Sequence, residues 1–322
     1  MWKIKLCFCW LCCLLPVLSL AQRIDNTASY RDLGGEKYIR LHYDNDFFTA
    51  SDFYYTQGYS FEVVHPALKK NPLSKALLRL KGGTTKYGLA FEHFGFTPTN
   101  IGRSEILYND RPFASCILLK SFAISVDTVR RTRLSAVLST GGIGPVAFGE
   151  GMQKTIHRWI NGVEPLGWRN QIQNDVLINY ELNHEKLLYQ NRFFSLNTNA
   201  QVRVGTLNDK AQVGFTLMAG KFNSPFGPVV LARKNRFQLY IYNQPLVSFV
   251  AYDATLQGGL FNRSSPYTLR SSEINRVTFQ NNVGIVLKTK KIYLEYYQSL
   301  LTREFKTGMP HRWGGFRIGV GI

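Results

Sequence analysis

Along most of this chain, polar and apolar side chains take turns. Tyr59, Phe61 and Val63 alternate with Ser60, Glu62 and Val64, and Leu134, Ala136 and Leu138 with Ser135 and Ser139. Phe194, Leu196, Thr198 and Ala200 alternate with Ser195, Asn197, Asn199 and Gln201. A period of two over about ten residues gives a strand one apolar and one polar face, the weak mark of an outer-membrane strand. Thirteen segments qualify, near 36–46, 55–65, 85–95, 112–126, 131–141, 172–186, 191–205, 211–221, 236–243, 246–257, 275–288, 290–300 and 312–322. Single-chain bacterial barrels have an even number of strands, so the expectation is twelve antiparallel strands with one segment spurious. Phe316, Ile318, Val320 and Ile322 suit a closing strand. Tyr240, Tyr242, Tyr293, Tyr296, Tyr297 and Trp313 lie near segment ends and read as interfacial girdles.

One stretch breaks the period. From Glu150 to Ile160, Met152, Ile156 and Ile160 fall at helical spacing, with Gln153 and His157 four apart on a neighbouring stripe. A short helix is expected there, after the Gly141–Pro145 turn and ended by Pro165 and Gly167.

The first 21 residues read as a signal peptide. Lys3 and Lys5 precede the apolar run Leu6 to Leu18, and Ser19-Leu20-Ala21 offers small residues for cleavage before Gln22. Residues 22–322 then form one domain, without a linker or repeat. No later apolar run reaches the 18 or so residues of a membrane helix. Of five cysteines only Cys116 survives cleavage, so neither an internal disulfide nor a thiolate metal site is expected. A soluble β-sandwich alternates equally well. Export, 27 glycines and 14% aromatics favour the barrel.

The chain carries +18, and losing Lys3 and Lys5 leaves +16. No stacking module or recognition helix accompanies this charge, which argues against a nucleic-acid partner. An anionic membrane surface or a phosphorylated lipid suits it better.

Two polar islands interrupt the strand pattern. The first is Asp44-Asn45-Asp46, followed by Thr56; its close-set oxygen donors suit Ca²⁺, or else a turn. The second spans Gly144 to Gln171 and holds Glu150, Gln153, His157 and Glu164. A histidine in such company is a natural general base for water. A cation could stabilise the oxyanion of an ester while His157 deprotonates the water. No G-x-S-x-G elbow and no H-E-x-x-H motif occurs, which disfavours serine-hydrolase and zinc chemistry.

In their order and spacing these residues resemble the LpxR family of outer-membrane lipid A deacylases. The resemblance rests on Asn45-Asp46, Tyr55-Thr56-Gln57-Gly58, Thr97-Pro98, Asp110 to Phe113, Gly144 to Gln171, Leu256 to Gly258 and Glu304 to Gly308. It covers the chain beyond the signal peptide. It implies a twelve-stranded outer-membrane barrel of a Gram-negative cell and Ca²⁺-dependent hydrolysis of the 3′-linked acyloxyacyl ester of lipid A. Carried over by position, Asn45 and Asp46 fall at the calcium and oxyanion end, Thr56 on the site wall and His157 at the base. Arg103 stands where the family has a lysine, as a substrate contact with Gln153. The family glutamate falls on Val163, with Glu164 adjacent. Ile322 departs from the usual aromatic ending of such barrels. The expected partners are lipopolysaccharide and outer-membrane lipids, with the chain a monomer. Two rivals remain: an outer-membrane phospholipase, disfavoured because two lipid A phosphates reward a basic rim more than one diester, and a passive pore, which has no use for the Gln153/His157 helix.

Overall fold

The computed structural model describes residues 25–51, 53–227 and 237–322; the signal-peptide expectation lies outside them. Twelve antiparallel strands close into a barrel in which each strand pairs with its neighbours in sequence, and the last with the first. They are β1 (Tyr38–Asn45), β2 (Tyr54–Val64), β3 (Thr84–Thr97), β4 (Ala114–Asp127), β5 (Thr132–Ile143), β6 (Asp175–Gln190), β7 (Phe194–Gly205), β8 (Asn208–Lys221), β9 (Gln238–Asp253), β10 (Val277–Lys288), β11 (Ile292–Leu301) and β12 (His311–Gly321). Closure satisfies every strand edge, as a bilayer demands. No helix among the described residues is long and apolar enough to cross a membrane.

The spurious boundary fell inside β9. Segments 236–243 and 246–257 are one strand running through Pro245. Proline lacks the N–H that a ladder uses. Pairing to β10 continues through Asn281↔Pro245, while pairing to β8 lapses between Gly214↔Leu246 and Leu217↔Asn243. The barrel tolerates the gap because it is local.

Alternation sorts the faces as expected. Phe61, Phe215, Ile241, Phe316 and Ile318 are exposed on the outer wall, while Ser195, Asn197, Asn199 and Gln201 are buried in the lumen. The girdle expectation is overturned for five of its six residues. Tyr240, Tyr242, Tyr293, Tyr297 and Trp313 are buried in the luminal core, and only Tyr296 faces outward. Their parity along the strands, which sets the face, outweighs their nearness to strand ends.

The segment before β1 enters the lumen. Arg31 bonds Glu295 at 2.9 Å, and the Ser29 hydroxyl donates to Glu185 at 2.6 Å. The Tyr30 hydroxyl donates to Gln244 at 2.8 Å. Arg317 joins Glu295, and Arg40 joins Glu62, as further buried pairs. Such charges are tolerable out of water because each meets a counter-charge or a hydrogen bond. The lumen is a packed polar core.

The two rims differ. One carries the chain ends and the connections 65–83, 128–131, 191–193, 222–237 and 289–291; we call it the terminal rim. The other carries 46–53, 98–113, 144–174, 206–207, 254–276 and 302–310, and we call it the helix rim.

Candidate active site on the outer wall

The helix rim holds α1 (Gly149–Trp159), within one residue of the stretch that the sequence marks. Its seating reverses the apolar expectation. Of its side chains Gln153 is buried, Met152 and Ile156 are half-exposed, and Trp159 and the following Ile160 are exposed at 79% and 66%. The helix turns Gln153 to the barrel and leaves its apolar residues exposed or half-exposed.

Two close approaches let it sit there. A Cβ on Gly149 would come within 2.5 Å of the Ser115 Cβ on β4, and one on Gly95 within 3.2 Å of the Thr56 methyl. At the entry to α1, Gly144 adopts φ +100, a conformation glycine takes without strain. His93 of β3, which stands apart from the chemistry in the sequence, donates from Nε2 to the Ala147 carbonyl at 2.8 Å and so pins that entry to the wall.

The first island divides between two faces. Asp44 points into the lumen, where the Tyr55 hydroxyl donates to it at 2.8 Å, Tyr297 also bonds it, and His42 lies at 3.0 Å. Neither Asp44 nor His42 therefore belongs with the outer-wall residues. Asn45, next in the alternation, faces outward and caps the 3₁₀ turn Asp46–Thr49. Its Oδ1 accepts the Phe47 N–H at 2.7 Å, and its Nδ2 donates to the Thr56 carbonyl. Asp46 is buried at the start of that turn. A bulge between Tyr55 and Gln57 takes Thr56 out of the ladder to β3 and presents its side chain to α1.

From Thr56 a relay runs into the helix. Gln153 Nε2 donates to Thr56 Oγ1 at 2.9 Å, and Trp168 Nε1 donates to Gln153 Oε1 at 2.6 Å. The indole can only donate, so it fixes which way the amide lies. The Thr56 hydroxyl, already accepting from Gln153, keeps its proton for another partner. Trp168 is fully buried against Phe113, with ring centroids 5.0 Å apart. It lies within the Gly144 to Gln171 stretch, but nothing in the spacing gave its indole this task.

His157 lies one turn beyond Gln153 and is half-exposed. Its Nδ1 is 2.7 Å from the Val163 carbonyl. A carbonyl only accepts, so Nδ1 carries the proton and neutral His157 has its lone pair on Nε2. Glu164 is exposed and its carboxylate has no hydrogen bond or ion pair among the described residues. The contact to His157 Nδ1 comes from the backbone carbonyl of Val163, and the Glu164 side chain takes no part in it. Glu150 pairs with Lys154 at 2.8 Å. Arg103 is exposed on the loop beside this turn. A Cβ on Gly102 would stand 2.9 Å from Val163, the Leu166 N–H donates to the Ile101 carbonyl at 2.9 Å, and Asn170 bonds the Ser104 carbonyl at 2.8 Å. His157, Gln153, Thr56, Asn45, Asp46 and Arg103 are thus gathered on one side of the helix rim.

No group of three or more His, Cys, Asp or Glu able to hold a metal occurs among the described residues. Among the described residues of this turn, the Asp46 carboxylate stands with the Asn45 amide, the Thr49 and Ser51 hydroxyls and backbone oxygens, a set suited to a hard cation such as Ca²⁺ and unsuited to zinc.

A closed barrel of twelve strands, with a packed polar lumen and an apolar outer wall, defines an integral outer-membrane protein. The family model described as outer membrane protein LpxR matches residues 6–322, and the chain belongs to the LpxR family. Among solved structures, LpxR from Salmonella typhimurium is similar at TM-score 0.71 and 19% identity, over 88% of this chain and all of that one. At that identity the likeness shows the fold. The β domain of the Bordetella autotransporter BrkA matches at TM-score 0.46 and 10% identity, over 89% of this chain and 99% of that one. No curated protein matches.

Proposed function

We propose that the protein is a Ca²⁺-dependent lipid A deacylase that hydrolyses the 3′-linked acyloxyacyl ester. The observation that carries this reading is His157, with Nδ1 held by the Val163 carbonyl and Nε2 free, on the outer wall where a lipid ester can reach it. Nε2 takes a proton from a water attacking the ester carbonyl, and returns it to the sugar oxygen as the tetrahedral intermediate collapses and releases the fatty acid. The Thr56 hydroxyl, aligned by Gln153 and Trp168, has a proton to donate to the oxyanion or the incoming substrate. Arg103 on the adjoining loop offers a cation to a lipid A phosphate. Ca²⁺, held by Asp46 with oxygens of Asn45 and nearby backbone, would supply electrostatic stabilisation of the oxyanion.

The passive-pore reading is disfavoured by the buried pairs of Ser29, Tyr30 and Arg31, which fill the lumen. Mass spectrometry of lipid A from cells with and without the protein tests the proposal. The expected result is loss of one acyloxyacyl unit from the 3′ position. Unchanged lipid A, with release of glycerophospholipid acyl chains, would replace the reading with a phospholipase.

A further inference from the structure

The positive charge is not where the candidate site is. In the helix-rim connections Lys and Arg are nearly balanced by Asp and Glu. In the terminal-rim connections 65–83, 128–131, 191–193 and 289–291 there are ten Lys or Arg and no Asp or Glu. Arg233, Lys234 and Arg236 of the connection after β8 add to the same count but lie outside the described residues. Five of the ten are in 65–83: Lys69, Lys70, Lys75, Arg79 and Lys81. None forms an ion pair among the described residues, and all are exposed.

This connection is a built strap. Two 3₁₀ turns, Pro66–Lys70 and Pro72–Ala76, are capped by His65 and Asn71, and the Ser74 hydroxyl donates to the Leu68 carbonyl at 2.9 Å. Leu77 is buried against Tyr87, Ala123 and Ala136 of the outer wall. The Tyr180 hydroxyl donates to the Ala76 carbonyl at 2.9 Å and accepts the Leu78 N–H at 3.0 Å. The wall beneath is small, with Ser121, Ala123 and Ser125 buried, so the strap takes space that lipid would fill.

Between strap and wall lies an open groove of about 450 Å³, lined by Lys69, Arg79, Leu80, Lys81, Thr85 and Tyr87. Arg79 is held in place by a 2.8 Å bond to the Tyr87 hydroxyl. Three cations and Leu80 line this groove, and Leu73 and Leu78 are exposed on the same strap. A free anion would use the cations and leave the leucines in water. A phosphodiester with acyl chains uses both. Short turns place the terminal rim on the periplasmic side of a bacterial barrel, where the leaflet is phospholipid.

We propose that the groove of Lys69, Arg79 and Lys81 binds the headgroup of an anionic phospholipid of the periplasmic leaflet, with its chains along Leu73 and Leu78. The site is separate from the His157 site and does not depend on what that site does.

The test is native mass spectrometry of the full-length barrel, released from detergent micelles with added phosphatidylglycerol or phosphatidylcholine. The parent should retain one phosphatidylglycerol in preference to phosphatidylcholine. The Lys69→Ala/Arg79→Ala/Lys81→Ala variant should bind it at least about tenfold more weakly. Heat-dependent gel mobility confirms that the variant is folded, and Arg130→Ala/Arg131→Ala on the same rim should keep parent-like retention. Equal retention of both lipids by the parent, unchanged binding in the triple variant, or an equal loss in the Arg130/Arg131 variant would overturn the groove. So would full displacement by millimolar inorganic phosphate, which would make it a site for free anion.

Discussion

The two rims of this barrel are built from the same twelve strands and are chemically opposite. The helix rim has long, folded loops, near-balanced charge and a histidine whose tautomer is set by a backbone carbonyl. The terminal rim has mostly short turns and one strap, and its connections carry ten cations and no Asp or Glu outside the connection after β8. Net charge of a whole chain therefore says little about which end meets which ligand. The net positive charge that favoured a lipid A phosphate partner over a single diester sits mainly on the rim away from His157, so that argument for the substrate falls. The preference for lipid A rests on family membership and on the outer-wall site.

If the rims are independent, damage at one should leave the other intact. The largest effect should come from His157→Gln, which keeps volume and some hydrogen bonding but cannot take a proton. Ester hydrolysis should fall by about 10² to 10⁴, with unchanged phosphatidylglycerol retention and unchanged heat-dependent gel mobility. A variant within tenfold of the parent rate would remove the general-base role.

Chelation should be comparably severe. Excess chelator, or Asp46→Asn, should abolish hydrolysis, with recovery in the parent on adding Ca²⁺ and poor recovery with Zn²⁺. Full activity in chelator would reject the cation.

Trp168→Phe should have a smaller effect. Packing against Phe113 survives while the bond that fixes the Gln153 amide is lost, so kcat should fall about tenfold with KM nearly constant. A rise in KM alone would make the relay a substrate contact.

The smallest effect concerns neither rim but the lumen. Asp32 is mostly shielded from water, which by itself would raise its pKa, but Lys86, Arg133 and Lys288 hold it well below the usual carboxylate range. A depressed pKa stabilises the fold above the ordinary carboxylate pKa, and that contribution is lost as pH falls through the folded value. Asp32→Asn should therefore lower resistance to urea at pH 7 and narrow the gap to the parent in strong acid. An equal loss at both pH values would assign the effect to packing.

Much of this was legible in the residues. Period-two alternation gave the strands and most of their faces, because a side chain on a pleated strand has only two places to point. It misjudged β9 because Pro245 looks like an end while costing only a local lapse in one ladder. It misjudged the tyrosines because nearness to a strand end was weighed above parity. The helical spacing of Met152, Ile156 and Ile160 located α1 but named the wrong buried face. In a membrane protein the apolar stripe can lie against lipid and the polar one against the wall.

The candidate site was legible as a set of residue types and not as an arrangement. Asp44, Asn45 and Asp46 are contiguous, yet alternation sends Asp44 into the lumen and leaves Asn45 outside. His93 and Trp168 had no signal beyond their presence, since their partners are a carbonyl 54 residues away and an amide 15 residues away.

By itself the sequence determined the strand class, the position of the helix and which residue types lie beside it, because each depends on local period or on intrinsic chemistry. Only the tertiary structure decided that the lumen is filled by the segment before β1, that His157 is oriented by the Val163 carbonyl, and that the cations gather opposite the site. Those facts depend on which strands become neighbours when the barrel closes, and closure joins residues that no local pattern connects.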